Sequence, residues 1–141
     1  MPIRTTILAP GQIYHVFNRG VAGQPIFSST KDYSRFLELI DYYRFVDLPL
    51  SFSHLKKLST EDRKKIMTEI KDKNRLHVEI ITFCLMPNHY NLLLRERKSS
   101  GIQTFMQKLG TGYTMYFNTK YKRSGVLFQG AFKAIHIEKE P

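Results

Sequence analysis

His89 and Asn91 stand two residues apart in Cys84-Leu85-Met86-Pro87-Asn88-His89-Tyr90-Asn91-Leu92-Leu93-Leu94, a polar cluster between two apolar runs. An imidazole nitrogen and an amide can hold a divalent ion or meet a phosphate oxygen. Side chains alternate across a strand, so both would share one face while Tyr90 and Leu92 take the other. Val78-Glu79-Ile80-Ile81-Thr82-Phe83 leads in, and Pro87-Asn88 has the composition of a tight turn, so the stretch reads as strand, turn, strand. A hydrogen-bonded histidine on a sheet surface is the competing, purely structural reading of His89.

The whole-chain balance narrows the partner. Lysine and arginine total 22 against 12 acidic residues, a formal net charge of +10 in 141 residues. That surplus on one domain favours a polyanion, with nucleic acid the default. Cys84 is the only cysteine and lies in an apolar run. It is expected to be a buried thiol in a reducing cytoplasm, which excludes a disulfide framework. No apolar run approaches the roughly 18 residues of a membrane span, and no secretory leader is visible, so the expected location is cytoplasmic.

The elements that must position these groups follow from periodicity. Gln12 to Arg19 alternates as a strand, with His15, Phe17 and Arg19 on one face and Tyr14, Val16 and Asn18 on the other. Ser29-Thr30-Lys31-Asp32 has the form of a capping box, and Tyr33, Phe36, Leu37, Ile40 and Tyr43 behind it recur at helical spacing. This helix should fade near Val46, ahead of Pro49. Residues 47–76 read as a charged surface insertion within a single domain spanning 1–141, holding a short helix capped at Ser59 that touches down through Ile66 and Ile70. After the strand pair, Ser100-Gly101-Ile102-Gln103 offers a second capping box. Ile102, Phe105, Met106, Leu109, Tyr113, Tyr116 and Phe117 then mark a long helix ending near Asn118. Gly110 and Gly112 inside it suggest a close backbone approach or a kink. A Gly-bounded loop from Gly125 to Gly130 precedes a last strand, Ala131 to Ile137.

Strand, helix, strand, strand, helix, strand is the βαββαβ order of the ferredoxin-like fold. The fold class is α+β, a four-stranded antiparallel sheet with two helices on one face and the other face free for ligands. The first and third strands are central neighbours in that topology, which would bring His15 near His89 and Asn91.

Four ordered blocks carry a resemblance: Tyr14-His15-Val16-Phe17-Asn18-Arg19-Gly20, Cys84 to His89 with Leu92-Leu93-Leu94, Phe117-Asn118, and Gly125-Val126-Leu127-Phe128-Gln129-Gly130. From about Gln12 to Ile137 the chain resembles the single-tyrosine HUH transposases of bacterial insertion sequences, and within them the REP-associated tyrosine transposases. The resemblance implies a ferredoxin-like fold, a likeness to proteins that usually pair as homodimers, and binding of single-stranded or hairpin DNA. It also implies a divalent metal, magnesium or manganese, held by a histidine pair, and nicking and rejoining of DNA by tyrosine attack. This chain departs from the pattern in two ways. Asn91 stands where the second histidine belongs, and the segment bearing the nucleophilic tyrosine, expected after the last strand, is not matched before Pro141.

The expected metal ligands are therefore His89 and Asn91, with weakened or lost metal binding, and no tyrosine inherits the catalytic role. Arg19, Lys120, Lys122, Arg123 and Lys133 are expected to neutralise phosphate. Phe128 and Gln129 are expected to contact bases, and His15 and Asn18 to complete the DNA-binding set. The expected function is transposase-like binding of hairpin or single-stranded DNA. The alternative is a catalytically inactive hairpin-binding remnant or fragment, and an RNA-binding module of the same architecture is a weaker third reading.

Overall fold

The computed structural model describes residues 7–138. Its sheet forms because apolar and polar residues alternate on its inner strands. β1 (Ile13–Arg19) turns Tyr14, Val16 and Asn18 inward and leaves His15, Phe17 and Arg19 outward. β3 (His89–Glu96) buries Tyr90, Leu92, Leu94 and Glu96 and leaves His89, Asn91, Leu93 and Arg95 half-buried on the opposite face. β2 (Val78–Met86) and β4 (Lys133–Ile137) complete an antiparallel sheet in the order β2-β3-β1-β4. This is the expected ferredoxin-like architecture.

Two long helices pack against each other and supply the core over the inner face. α1 (Thr30–Tyr43) starts at Ser29, whose hydroxyl accepts from the Asp32 N–H at 3.3 Å. The Asp32 carboxylate reaches back to the Ser28 N–H at 2.8 Å, one residue further than a standard capping box. α1 contributes Phe36, Leu39, Ile40, Tyr42 and Tyr43 to the core.

Between α1 and β2 lie two helices, α2 (Phe52–Lys57) and α3 (Thr60–Lys73). α3 begins at Ser59, as its sequence suggested, and buries Ile70. α2 was not legible in the pattern because it is short. It is held to α1 by the Phe52 N–H donating to the Tyr43 hydroxyl at 3.1 Å, and it buries Phe52 and Leu55. The excursion leaves and returns at one place. Phe45 bridges Leu76, and the Val46 and His77 N–H groups donate to the Arg75 and Arg44 carbonyls at 2.8 Å. Such closure lets a long segment be carried by the sheet without disturbing its register.

α4 (Gly101–Tyr121) runs unbroken past Asn118. Its start differs from the expected capping box. Ser100 has a left-handed backbone (φ 61°) and makes no side-chain cap. Buried Glu96 does the capping instead, its Oε1 accepting from the Ile102 N–H at 3.0 Å. Gly101 is required there, since a Cβ would lie 2.2 Å from the His77 carbonyl oxygen. The two interior glycines differ: Gly112 packs near Tyr43 and Leu39, whereas a Cβ at Gly110 would meet nothing within 4 Å among the described residues.

Cys84 is exposed, not buried as its apolar surroundings suggested. The reason is topological. β2 is an edge strand, and Cys84, opposite Asn91, and Met86, opposite His89, lie on the face away from the helices; Ile81, Phe83 and Met86 are 42–47% exposed.

Candidate nucleic-acid interface

The helices occupy one side of the sheet, so the strand positions on the other side define a surface that can be read from the pairing. Near the β2–β3 turn, Met86, His89 and Arg19 lie in one row. The next row holds Cys84, Asn91, Phe17 and Lys133. Behind it come Thr82, Leu93, His15 and Ile135. Arg19, His89, Asn91, Phe17 and Lys133 thus gather toward the turn end, whereas at the far end Arg95 pairs with Glu79 at 3.4 Å beside Ile13 and Ile137.

Three loops are stitched together at the turn end. The Gly20 N–H donates to the Asn88 carbonyl at 2.9 Å, and the Ile26 and Phe27 N–H groups share the Pro87 carbonyl at 2.8 and 3.1 Å. Val21 donates to Leu127 at 2.8 Å, and Gln129 to Arg19 at 2.9 Å. Gly20 permits this crossing because a Cβ would lie 2.1 Å from the Gln24 carbonyl oxygen. The rim that carries Arg19, His89 and Gln129 is therefore positioned by backbone bonds and not by side-chain packing alone.

His15 and Asn91 meet on the open face, with His15 Nε2 and Asn91 Oδ1 2.9 Å apart. With the amide oxygen toward it, His15 Nε2 is the donor of this bond, the role of the Nε2–H tautomer. The His15 ring also stacks on Phe17, with centroids 4.7 Å apart. By the same logic His89 Nδ1 donates to Asn88 Oδ1 at 2.9 Å, leaving Nε2 as its free nitrogen. Arg19 Nε donates to Gln129 Oε1 at 3.0 Å, which aims an exposed guanidinium along the rim. Lys133 is exposed across from Phe17.

Other residues of the expected set lie elsewhere. Asn18 faces the core at 6% exposure, its amide donating to the Gly130 carbonyl at 3.1 Å and its oxygen accepting from the Arg19 N–H at 2.9 Å. It holds the Gly125 to Gly130 loop against β1. Phe128 also turns inward, edge-on to Tyr90 with centroids 5.6 Å apart. Arg123 is half-buried and holds Asn118 Oδ1 at 2.6 Å and the Val126 carbonyl at 3.0 Å. Lys122 is exposed at the left-handed end of α4.

Lys120 sits on the helix side, where its ammonium donates to Asp32 Oδ1 and Ser29 Oγ, both at 2.8 Å. Asp32 is fully buried and also accepts from the Tyr116 and Tyr121 hydroxyls at 2.8 and 2.6 Å. Burial alone would raise its pKa, but Lys120, Tyr121, the Ser28 N–H and Tyr116 outweigh it and hold the carboxyl well below the usual range. Sequence reasoning missed this partner because Asp32 had already been explained as a cap. It missed Asn88 as well, although a side-chain acceptor directly before a histidine is a visible signal for a fixed tautomer.

The donor set does not fit a divalent ion. Among the described residues no three His, Cys, Asp or Glu side chains converge to hold a metal. Asn91, the second expected ligand, has its only ligating oxygen facing the Nε2 proton of His15. No described helix is long and apolar enough to cross a membrane.

The fold agrees with comparisons to known proteins. A solved structure described as a REP-associated tyrosine transposase bound to a REP hairpin superposes with a TM-score of 0.54 at 11% identity, covering 99% of this chain. That likeness is one of fold, and this chain spans 64% of the length of that one. A search of curated proteins finds no match. The sequence model of the IS200-like transposases matches residues 48–141, from the segment before α2 through β2, the His89 strand, α4 and β4, and the chain belongs to that family.

Proposed function

We propose that the protein binds single-stranded or hairpin DNA on the open face of its sheet and on the rim at the β2–β3 turn. The observation that carries this is the segregation of the two faces. α1 and α4 cover one, and the other presents His15, Phe17, Arg19, His89, Asn91 and Lys133 in adjoining rows. Family membership and the hairpin bound by the structural neighbour support the same ligand. Arg19, Lys122 and Lys133 take phosphates, Gln129 stands beside Arg19 on the rim, and Phe17 supplies the ring against which an unpaired base stacks.

Binding without strand cleavage is the activity we assign to the described residues. None of the eight tyrosines occupies an open-face strand position. Tyr14 and Tyr90 point into the core, the Tyr113 hydroxyl donates to the Ile26 carbonyl, and Tyr116 and Tyr121 are bound to Asp32. A labelled hairpin incubated with the protein and manganese should be retained without a covalent adduct. A denaturant-resistant protein–DNA band would overturn this assignment.

A second copy is the partner that β2 accommodates. Its outer edge pairs with no other strand among the described residues, and Ile81, Phe83 and Met86 are exposed along it, with Glu79 the only charged residue of the strand. Edges this apolar invite pairing with an identical edge across a two-fold axis.

A further inference from the structure

We infer that Asn91 and Arg19 form a direct phosphate site at the position where the family's histidine pair would hold a metal, with Asn91 acting as a hydrogen-bond donor and not as a ligand. The inference rests on the DNA-binding function proposed above and names the contact that the two central strands make.

The chemistry follows from His15. Asn91 Oδ1 faces His15 Nε2 at 2.9 Å, so with the imidazole proton on Nε2 the group left available on Asn91 is the Nδ2 amine with two N–H donors. Asn91 Nδ2 has no hydrogen-bond partner among the described residues. A carboxamide held this way repels a cation and attracts an anion. Phe17 stacks on His15 from the same face, which restrains the ring that sets the orientation.

The anion is placed by the strand register. Arg19 pairs directly with His89, and Asn91 is two residues further along the same face of β3, so Arg19 and Asn91 are diagonal neighbours. Diagonal strand positions lie about 7–8 Å apart, close enough for the Asn91 amide and the longer Arg19 side chain to reach one phosphate. Arg19 Nε is tied to Gln129, which leaves both Nη groups for the second oxygen. One nonbridging oxygen then meets Asn91 Nδ2 and the other meets Arg19. No bond is made or broken in this contact.

Asn91→Asp is the discriminating variant. It keeps the shape and the oxygen that faces His15, but replaces the two N–H donors with a second acceptor. Hairpin affinity, read by fluorescence anisotropy, should be the same for the wild type in EDTA and in manganese. Asn91→Asp should bind the hairpin at least about tenfold more weakly. Electron paramagnetic resonance of manganese added to the protein alone should show free ion with the wild type. Affinity of the wild type that collapses in EDTA, or an undiminished Asn91→Asp variant, would overturn the site. A titration of the wild type with inorganic phosphate, followed at the Asn91 side-chain amide by NMR, separates this failure from failure of the proposed function. An amide shift without hairpin binding would uphold the site and remove DNA as its ligand, and no shift would overturn the site itself.

Discussion

The carboxylate of Asp32, three residues into the first turn of α1, and the ammonium of Lys120, in the last turn of α4, lie 2.8 Å apart across 88 residues of sequence. The ion pair clamps the start of one helix to the end of the other, and Tyr116 and Tyr121 close around it. Lys120 is thereby a structural cation and not a free phosphate contact, and its pKa is raised by the Asp32 hydrogen bond.

Removing the carboxylate should loosen this junction. Asp32→Ala deletes the acceptor for the Ser28 N–H and both tyrosine hydroxyls, and should lower unfolding free energy by about 2 kcal/mol or more in urea denaturation. Because the folded-state pKa is depressed, the carboxylate's contribution is complete above the unfolded value near 3.8 and is lost as pH falls below it. Stability profiles of wild type and Asp32→Ala should therefore converge at acid pH, and parallel profiles would contradict the assignment.

Charge reversal should separate binding cations from structural ones. Lys133→Glu is expected to weaken hairpin affinity and reduce the slope of log K against log salt by about 1 or more, with stability unchanged. Lys120→Glu should instead destabilise the fold, because two carboxylates would face each other where an ion pair stands. Equal effects of the two variants on the salt slope would place DNA on the helix side.

Two glycines should respond in opposite directions to the same methyl group. Gly20→Ala puts a Cβ 2.1 Å from the Gln24 carbonyl oxygen and should cost about 2 kcal/mol or more while weakening hairpin binding through the displaced rim. Gly110→Ala meets nothing within 4 Å in a helix interior and should stabilise by about 0.5–1 kcal/mol without changing affinity. Thermal denaturation of both variants checks the pair, and a destabilised Gly110→Ala would reveal an approach to α4 by some other group.

Self-association should run through β2. Phe83→Lys places like charges on both copies of an edge whose exposed residues include Ile81 and Met86 and should shift the sedimentation profile from dimer to monomer. A monomeric wild type, or a variant that remains dimeric, would exclude this seam.

Local periodicity determined a large part of this protein. Alternation in β1 and β3 assigned His15, Phe17, Arg19, His89 and Asn91 to one face, and three- and four-residue spacing placed α1 and α4, because strand and helix geometry orient side chains within a few residues of each other. Four ordered motifs were sufficient to indicate the transposase family. Which distant group each side chain meets was decided by tertiary structure, because it depends on the register between strands and helices far apart in sequence. That register set Asn91 diagonally across from His15, 76 residues away, where the two side chains meet. It gave Lys120 to Asp32 and Asn18 to Gly130, removing both from the open face, and it put Cys84 beside Asn91 on the open face of an edge strand.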